Sequence, residues 1–271
     1  MDRTKTIVHK GDVYRFDEDK HVHTLNGKPL TGVTSLIDKT LSKPALLPWA
    51  VKMTTEWIKT NCPVSDSIDG LGKKTKLYSV TEEDLESSKK AHNTFKERAG
   101  DWGTRVHNAC EVWAKTGELP LSPEDADILP SVSNFVTFIQ DNGFKILDVE
   151  RNVWSKDWWI GGIFDLVLEK DGKVYIADIK TSSGIYDSHF IQMGAYYKCI
   201  LENGWQKDYS VYEFSGAIVI NLKKDGKIAT CYSSALPAMV ETYNAIVTIY
   251  RNRDLLGTVT KAINYGTHIK L

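Results

Sequence analysis

The chain has 271 residues, 42% hydrophobic and 25% charged, with 34 Lys and Arg against 35 Asp and Glu and a formal net charge of -1. This is enough apolar sequence for one large domain with a substantial core, while the balanced charge excludes a broadly basic surface that coats nucleic acid by phosphate neutralisation alone. Four scattered cysteines (Cys62, Cys110, Cys199 and Cys231) form no Cys-x-x-Cys pair, which argues against a zinc ribbon, a redox motif or an iron–sulfur signature and leaves buried free thiols as the expectation.

No apolar signal-peptide core opens "MDRTKTIVHKGDVYRF", and no stretch approaches the roughly 18 apolar residues of a membrane span, so a soluble, cytoplasmic protein without a membrane partner is expected. Residues 11–30 read as two short strands joined at Asp17 to Lys20, with Asn26-Gly27 as a second turn. His21 and His23 point the same way from that strand, but without further ligands they read as surface histidines.

Thr34 is placed to cap a short helix over 35–41, and Pro44 to open a longer one over 45–61, with Pro48 breaking its first turn. Residues 62–76 are polar, Gly-containing and aperiodic, which predicts a loop. Thr81 with Asp84 resembles a capping box for a helix over 82–100; a further helix runs from Trp102 to Thr116, and another from Ser122-Pro123-Glu124-Asp125 to near Gly143.

From Phe144 the period changes toward two. Residues 144–154, 159–169 and 173–180 are strand-like, a helix follows over 188–203 to Gly204, and a strand pair around Lys224-Asp225-Gly226 precedes a terminal helix from Pro237. No internal repeat or low-complexity tract is present.

The chemistry concentrates in "GGIFDLVLEKDGKVYIADIKTSSG", residues 161–184. If Asp171-Gly172 is a two-residue hairpin turn, paired residue numbers sum to 343, so Asp165 falls opposite Asp178. Two ionised carboxylates roughly 5 Å apart repel, so a positive charge is expected between them. Lys180 lies on the same face, whereas Phe164, Leu166 and Leu168 with Tyr175, Ala177 and Ile179 take the other, predicting one core face and one charged face. Converging oxygen ligands without thiolates suit Mg²⁺ or Mn²⁺, and the lysine suits orienting or deprotonating a water. The bland alternative is a surface hairpin in which Lys180 merely neutralises two acids.

"GGIFDLV", "ADIKTS" and "QMGAYY", with "GTRVHNACE" upstream, resemble the successive motifs of the PD-(D/E)XK nuclease superfamily, in its RecB-type exonuclease branch. The resemblance runs from Gly103 to Tyr196, about a third of the chain. More loosely, "LTGVTSLIDKTL" and "LLPWA" resemble the stretch preceding the histidine helix in mitochondrial genome maintenance exonucleases and in phage or prophage exonucleases.

The resemblance implies that His107, Asp165, Asp178 and the Ile179 carbonyl bind one or two Mg²⁺ or Mn²⁺ ions, that Lys180 serves the attacking water, and that a helix carrying Gln192 and Tyr196 follows. The cysteine cluster of iron–sulfur members is absent, and no Gly-x-x-x-x-Gly-Lys-[Ser/Thr] loop occurs, so neither an iron–sulfur cluster nor a bound nucleotide is expected. Any helicase or recombination partner would then be a separate protein.

Around this set, Gln192 and Tyr196 share a helix face suited to a phosphate or base, or else form a polar stripe on a packed helix. Thr181 and Ser182 can donate to phosphate or cap a turn. Glu111, one helical turn after His107, either orients it or is a solvated acid, and Glu150 either approaches the metals or is an edge-strand charge. Arg105 with Lys89, Lys90, Lys96 and Arg98 forms a candidate DNA track, against solvated helix charge. Most of the eight tryptophans read as core.

The expected architecture is a single α/β domain of the restriction-endonuclease-like type, a central mixed β-sheet flanked by helices with an N-terminal helical extension. Residues 1–100 would supply the hairpin and one helical wall of a cleft, and 101–271 the catalytic core. The expected activity is metal-dependent DNA exonuclease action on single-stranded or duplex ends, in a phage or prophage or in recombination and repair. The alternatives are a structure-specific or sequence-specific endonuclease, or a catalytically silent DNA-binding module.

Overall fold

The computed structural model describes residues 4–68 and 72–261. In chain order these form β1 (Thr4–His9), β2 (Asp12–Asp17), β3 (Val22–Leu25), β4 (Lys28–Pro29), β5 (Thr31–Gly32), α1 (Val33–Thr40), α2 (Leu46–Asn61), β6 (Val64–Ile68), β7 (Lys74–Tyr78) and α3 (Glu82–Thr116). A 3-10 turn (Pro123–Asp125) then leads into α4 (Leu129–Asp141), β8 (Lys145–Ser155), β9 (Ile160–Lys170), β10 (Lys173–Lys180) and α5 (Asp187–Asn203). A second 3-10 turn (Trp205–Tyr209), β11 (Gly216–Leu222), β12 (Ile228–Ser233) and α6 (Leu236–Lys261) complete the order. This is the α/β class: mixed sheet with helices around it.

The chain divides into two compact units, one made of residues up to Leu41 and from Val106 onward, the other of Ser42–Arg105. The expected border near residue 100 does not coincide with them: the N-terminal strands belong to the larger unit.

In the larger unit β1 to β4 form an antiparallel sheet, and a six-stranded mixed sheet runs β12-β11-β10-β9-β5, with β8 also pairing β9. The Asp-Gly hairpin has the expected register, Lys173↔Lys170 through Ala177↔Leu166, with Asp171 and Gly172 both at positive φ as a type I′ turn requires. Across β9, the edge facing β10 at residues 166–170 is paired with β5 at Ile160 and Gly161, in parallel. Between these two partners the edge from Gly162 to Asp165 has no ladder on that side, so the sheet forks there.

Both faces of the central strands are packed, which corrects the expectation of one core face and one charged face. Leu166, Leu168, Ala177 and Ile179 are buried on one side, and Val167, Val174, Ile176, Ala217 and Val219 are buried on the other in a core shared with Met193, Tyr196 and Ile200 of α5 and Tyr243 of α6. The two acids sit at the end of the second face, where β9 and β10 separate. Trp154 anchors the N-terminal sheet, stacked on Tyr14 at 4.8 Å and edge-on to Trp205 at 4.8 Å.

Several local expectations change. Residues 64–68 and 74–78 pair as an antiparallel hairpin within what reads as a loop; the β-formers Val64, Ile68 and Thr75 are interrupted by polar residues too often for a periodic signal. Helix α3 is one element of 35 residues despite Gly100 and Gly103, since a helical glycine costs only about 1 kcal/mol and the stripe of Val106, Ala109 and Cys110 is buried. Thr34 does not cap α1; Gly32 is its N-cap. Pro48 lies in the first turn of α2, where no intrahelical N–H is needed, and does not break it. Ser122 caps only a 3-10 turn, the helix itself beginning at Leu129. Cys231 is exposed whereas the other three cysteines are buried. His23 is buried, its Nδ1 2.6 Å from the Tyr14 hydroxyl, because the second sheet covers it. The Thr81–Asp84 capping box forms as expected.

Helices α5 and α6 cross at Gly194, where an added methyl group would lie 2.6 Å from the Met239 carbonyl carbon and 2.8 Å from its oxygen. Backbone cannot yield as a side-chain tip can. Gly194→Ala is expected to lower the denaturant midpoint by the equivalent of about 1–3 kcal/mol or more, and an unchanged midpoint would show that the crossing tolerates a Cβ.

Candidate active site

The hairpin register carries Asp165 and Asp178 toward each other, but the backbone ladder stops one pair earlier, at Ala177↔Leu166. Asp165 closes the fork with its side chain instead: its Oδ2 accepts the Ile179 N–H at 2.7 Å. Asp178 is 2% exposed, and Lys180 lies over it, donating to Oδ1 at 2.8 Å with Oδ2 at 2.6 Å. His107, from the C-terminal part of α3, brings Nδ1 to 3.8 Å from Asp165 Oδ2 and is hydrogen-bonded to the Ile179 backbone.

Electrostatics follow from crowding. Burial pushes Asp178 up to about 6 and also raises Asp165, against the pull of Lys180 on both. Burial lowers His107, with the Lys180 charge acting the same way. Burial would lower Lys180, but the two carboxylates, Asp178 first, outweigh it and raise it. The lysine is the positive charge that repulsion between two acids demands.

A third acid stands on the far edge of β9. In the β8–β9 ladder Val149 pairs with Leu166 and Arg151 with Phe164, so Glu150 falls opposite Asp165, after a register shift between Ile146 and Asp148. Its φ of 54° is unusual for a residue with a side chain. Burial raises its carboxyl to about 8, with the charges of Asp165 and Glu111 adding to the effect. Glu150, Asp165 and Asp178 thus lie in a row across three neighbouring strands.

Glu150 and Asp165 open onto a cleft of about 440 Å³ lined also by His23, Gly161, Gly162 and Tyr196, among others, while Asp178 lies behind it. These two glycines are covered by neighbouring side chains: a Cβ on Gly162 would lie 2.7 Å from Tyr196 Cε1, and one on Gly161 2.9 Å from His23 Cβ.

The remaining sequence candidates divide. Tyr196 borders the cleft, and Gln192 donates to its hydroxyl at 2.8 Å; both are buried, at 4% and 7% exposure. Ser182 donates to the Gly184 carbonyl, the turn-capping alternative. Thr181 is half-buried, as is Arg105, two residues ahead of His107. Glu111 ion-pairs with Lys115 rather than hydrogen-bonding His107, though its charge is felt at Asp165 and Glu150. Sequence reading missed Lys223, whose ammonium donates to the carbonyls of Ser182 and Ser183 at 2.7 Å each and fixes the segment after Lys180. Nothing in the turn around Lys224-Asp225-Gly226 signals that role.

Among the described residues no three His, Cys, Asp or Glu side chains already converge as a metal cage. The donor types still suit a hard divalent cation: Asp165 accepts the Ile179 N–H at 2.7 Å and lies 3.8 Å from the His107 imidazole, which is itself hydrogen-bonded to the Ile179 backbone, with Asp178 on the adjoining strand. Lys180 fills the role of that cation in charge, and admitting a metal requires it to give up Asp178.

No family model matches this chain, and no curated protein matches it. The chain is similar to the solved structure described as "Crystal structure of SSO0001", at 17% identity, over 47% of this chain and 61% of that chain, with a TM-score of 0.26. The match therefore spans about three fifths of that chain's length, and at this level it identifies neither a family nor an activity. Among the described residues no helix is long and apolar enough to cross a membrane.

Two outcomes are expected from the electrostatics. Lys180→Met leaves Asp178 and Asp165 without their cation, so stability at pH 7 should fall by about 3 kcal/mol and recover as pH falls from the folded value of Asp178, about 6 even with Lys180 in place, toward the unfolded value near 4, read by denaturant midpoints across pH. For Glu150, a folded value near 8 above an unfolded value of about 4.5 means the native state resists ionisation, so stability is lost as pH rises through that interval. Glu150→Gln should raise Tm at pH 8 by roughly 2–4 °C per kcal/mol recovered and leave it unchanged at pH 4.

Proposed function

We propose that the protein is a divalent-metal-dependent nuclease of the restriction-endonuclease-like, PD-(D/E)XK type, acting on DNA as an exonuclease. The observation that carries this reading is the buried Asp178, clasped by Lys180 and facing Asp165 at a fork in the sheet beside His107. A hairpin neutralised for its own sake would lie on the surface; here Asp178 is buried, burial raises both acids, and Asp165 lines a cleft. Burying charge is costly unless the arrangement is used.

In this reading Asp165, Asp178, His107 and the Ile179 carbonyl hold Mg²⁺ or Mn²⁺. Such a cation, when bound, offsets the charge that builds on phosphate and acidifies a water. Lys180, freed from Asp178, orients the attacking water and opposes the same phosphate charge. Tyr196, held by Gln192, bounds the position of the scissile group on the α5 side. Glu150, neutral near pH 7, adds an acid to the row without adding to the repulsion. The RecB-type motif order from Gly103 to Tyr196 supports the same assignment.

End-labelled linear DNA with Mg²⁺ or Mn²⁺ is expected to be degraded from its ends. EDTA should abolish the reaction, and Asp165→Asn, Asp178→Asn and Lys180→Ala should each slow it at least about 100-fold. Cleavage that persists in EDTA, or in those variants, overturns the reading. Equal cutting of closed circles would make the enzyme an endonuclease, and binding without cutting would leave a DNA-binding module.

A further inference from the structure

Asn221, near the end of β11, is wholly buried, and neither its amide oxygen nor its amide nitrogen has a hydrogen-bond partner. An orphan amide of this kind destabilises a fold by about 1–3 kcal/mol, whereas an apolar side chain of similar size would not. In the parallel ladder with β10, Val219 is the register partner of Asp178 and Asn221 that of Lys180. Strand alternation therefore puts Asp178, Lys180 and Asn221 on one face, the face that also carries Ala217 and Val219 of the core beneath α5.

The Lys180 ammonium spends its contacts on both oxygens of Asp178. Were Asp178 to hold a cation, Lys180 would lose this partner, and with its side chain only 20% exposed it has little bulk water to replace it. The neighbouring strand presents an unused acceptor at the same level. We propose that Asn221 is a positioning residue for Lys180: when a divalent cation occupies Asp178, the ammonium transfers its hydrogen bond to Asn221 Oδ1, which keeps it at the fork. This rests on the metal-dependent reading above and assigns no contact between Asn221 and substrate. The metal-free fold carries the cost of the orphan amide, and the transfer satisfies its oxygen.

Mn²⁺ affinity measured by calorimetry on the full chain tests the transfer. Asn221→Leu should weaken Mn²⁺ binding roughly tenfold, the worth of one hydrogen bond to a charged group, while metal-free stability stays equal or rises. Asn221→Asp, which keeps an acceptor, should retain affinity. A purely structural asparagine would show the reverse, lost stability with unchanged affinity, and that result overturns the proposal. Should Asn221→Leu fail to fold, ¹⁵N-lysine spectra of the wild-type protein decide. Saturating Mg²⁺ should give a nuclear Overhauser contact between the Lys180 ammonium and the Asn221 amide, and its absence at saturation overturns the proposal. Failure of the wild-type chain to bind Mn²⁺ at all would instead remove the metal-dependent reading itself, and this inference with it.

Discussion

The arrangement turns on two like charges that the sheet forces together. A two-residue Asp-Gly turn fixes the register of β9 and β10, and that register aims two carboxylates at one point. Repulsion there is answered in two ways. Asp165 turns one oxygen to the Ile179 N–H, doing the work of the ladder bond that the diverging strands give up. Asp178 is clasped by Lys180. Remove Lys180 and Asp178 is left as an uncompensated buried charge, a loss of about 3–5 kcal/mol.

The fork also explains the cleft. β9 exchanges one neighbour for another along a single edge, β5 giving way to β10. Where neither partner reaches, Gly162 to Asp165 face an opening rather than a ladder. The glycines there are required by the approach of Tyr196 and His23, not by turn geometry. Glu150 on the other edge completes a row of acids from a left-handed backbone position.

The hairpin and its register were legible because the turn residues and period-two alternation are local signals: five successive pairs follow from Asp171-Gly172 alone. The capping box at Thr81 was legible for the same reason. What was not legible depends on partners distant in the chain. Burial of His23 comes from the association of the N-terminal strands with the core, and Lys223 reaches carbonyls some forty residues away. The continuity of α3 through two glycines reflects burial rather than propensity. Nothing in its own strand marks Asn221; only the parallel pairing of β11 with β10 sets it beside Lys180.

The contact between α5 and α6 at Gly194 lies midway between Gln192 and Tyr196. With backbone against backbone, the two helices have no compressible layer between them, so they translate together or not at all. Any attempt to widen or re-aim the cleft by reshaping its Tyr196 wall must therefore carry α6 along.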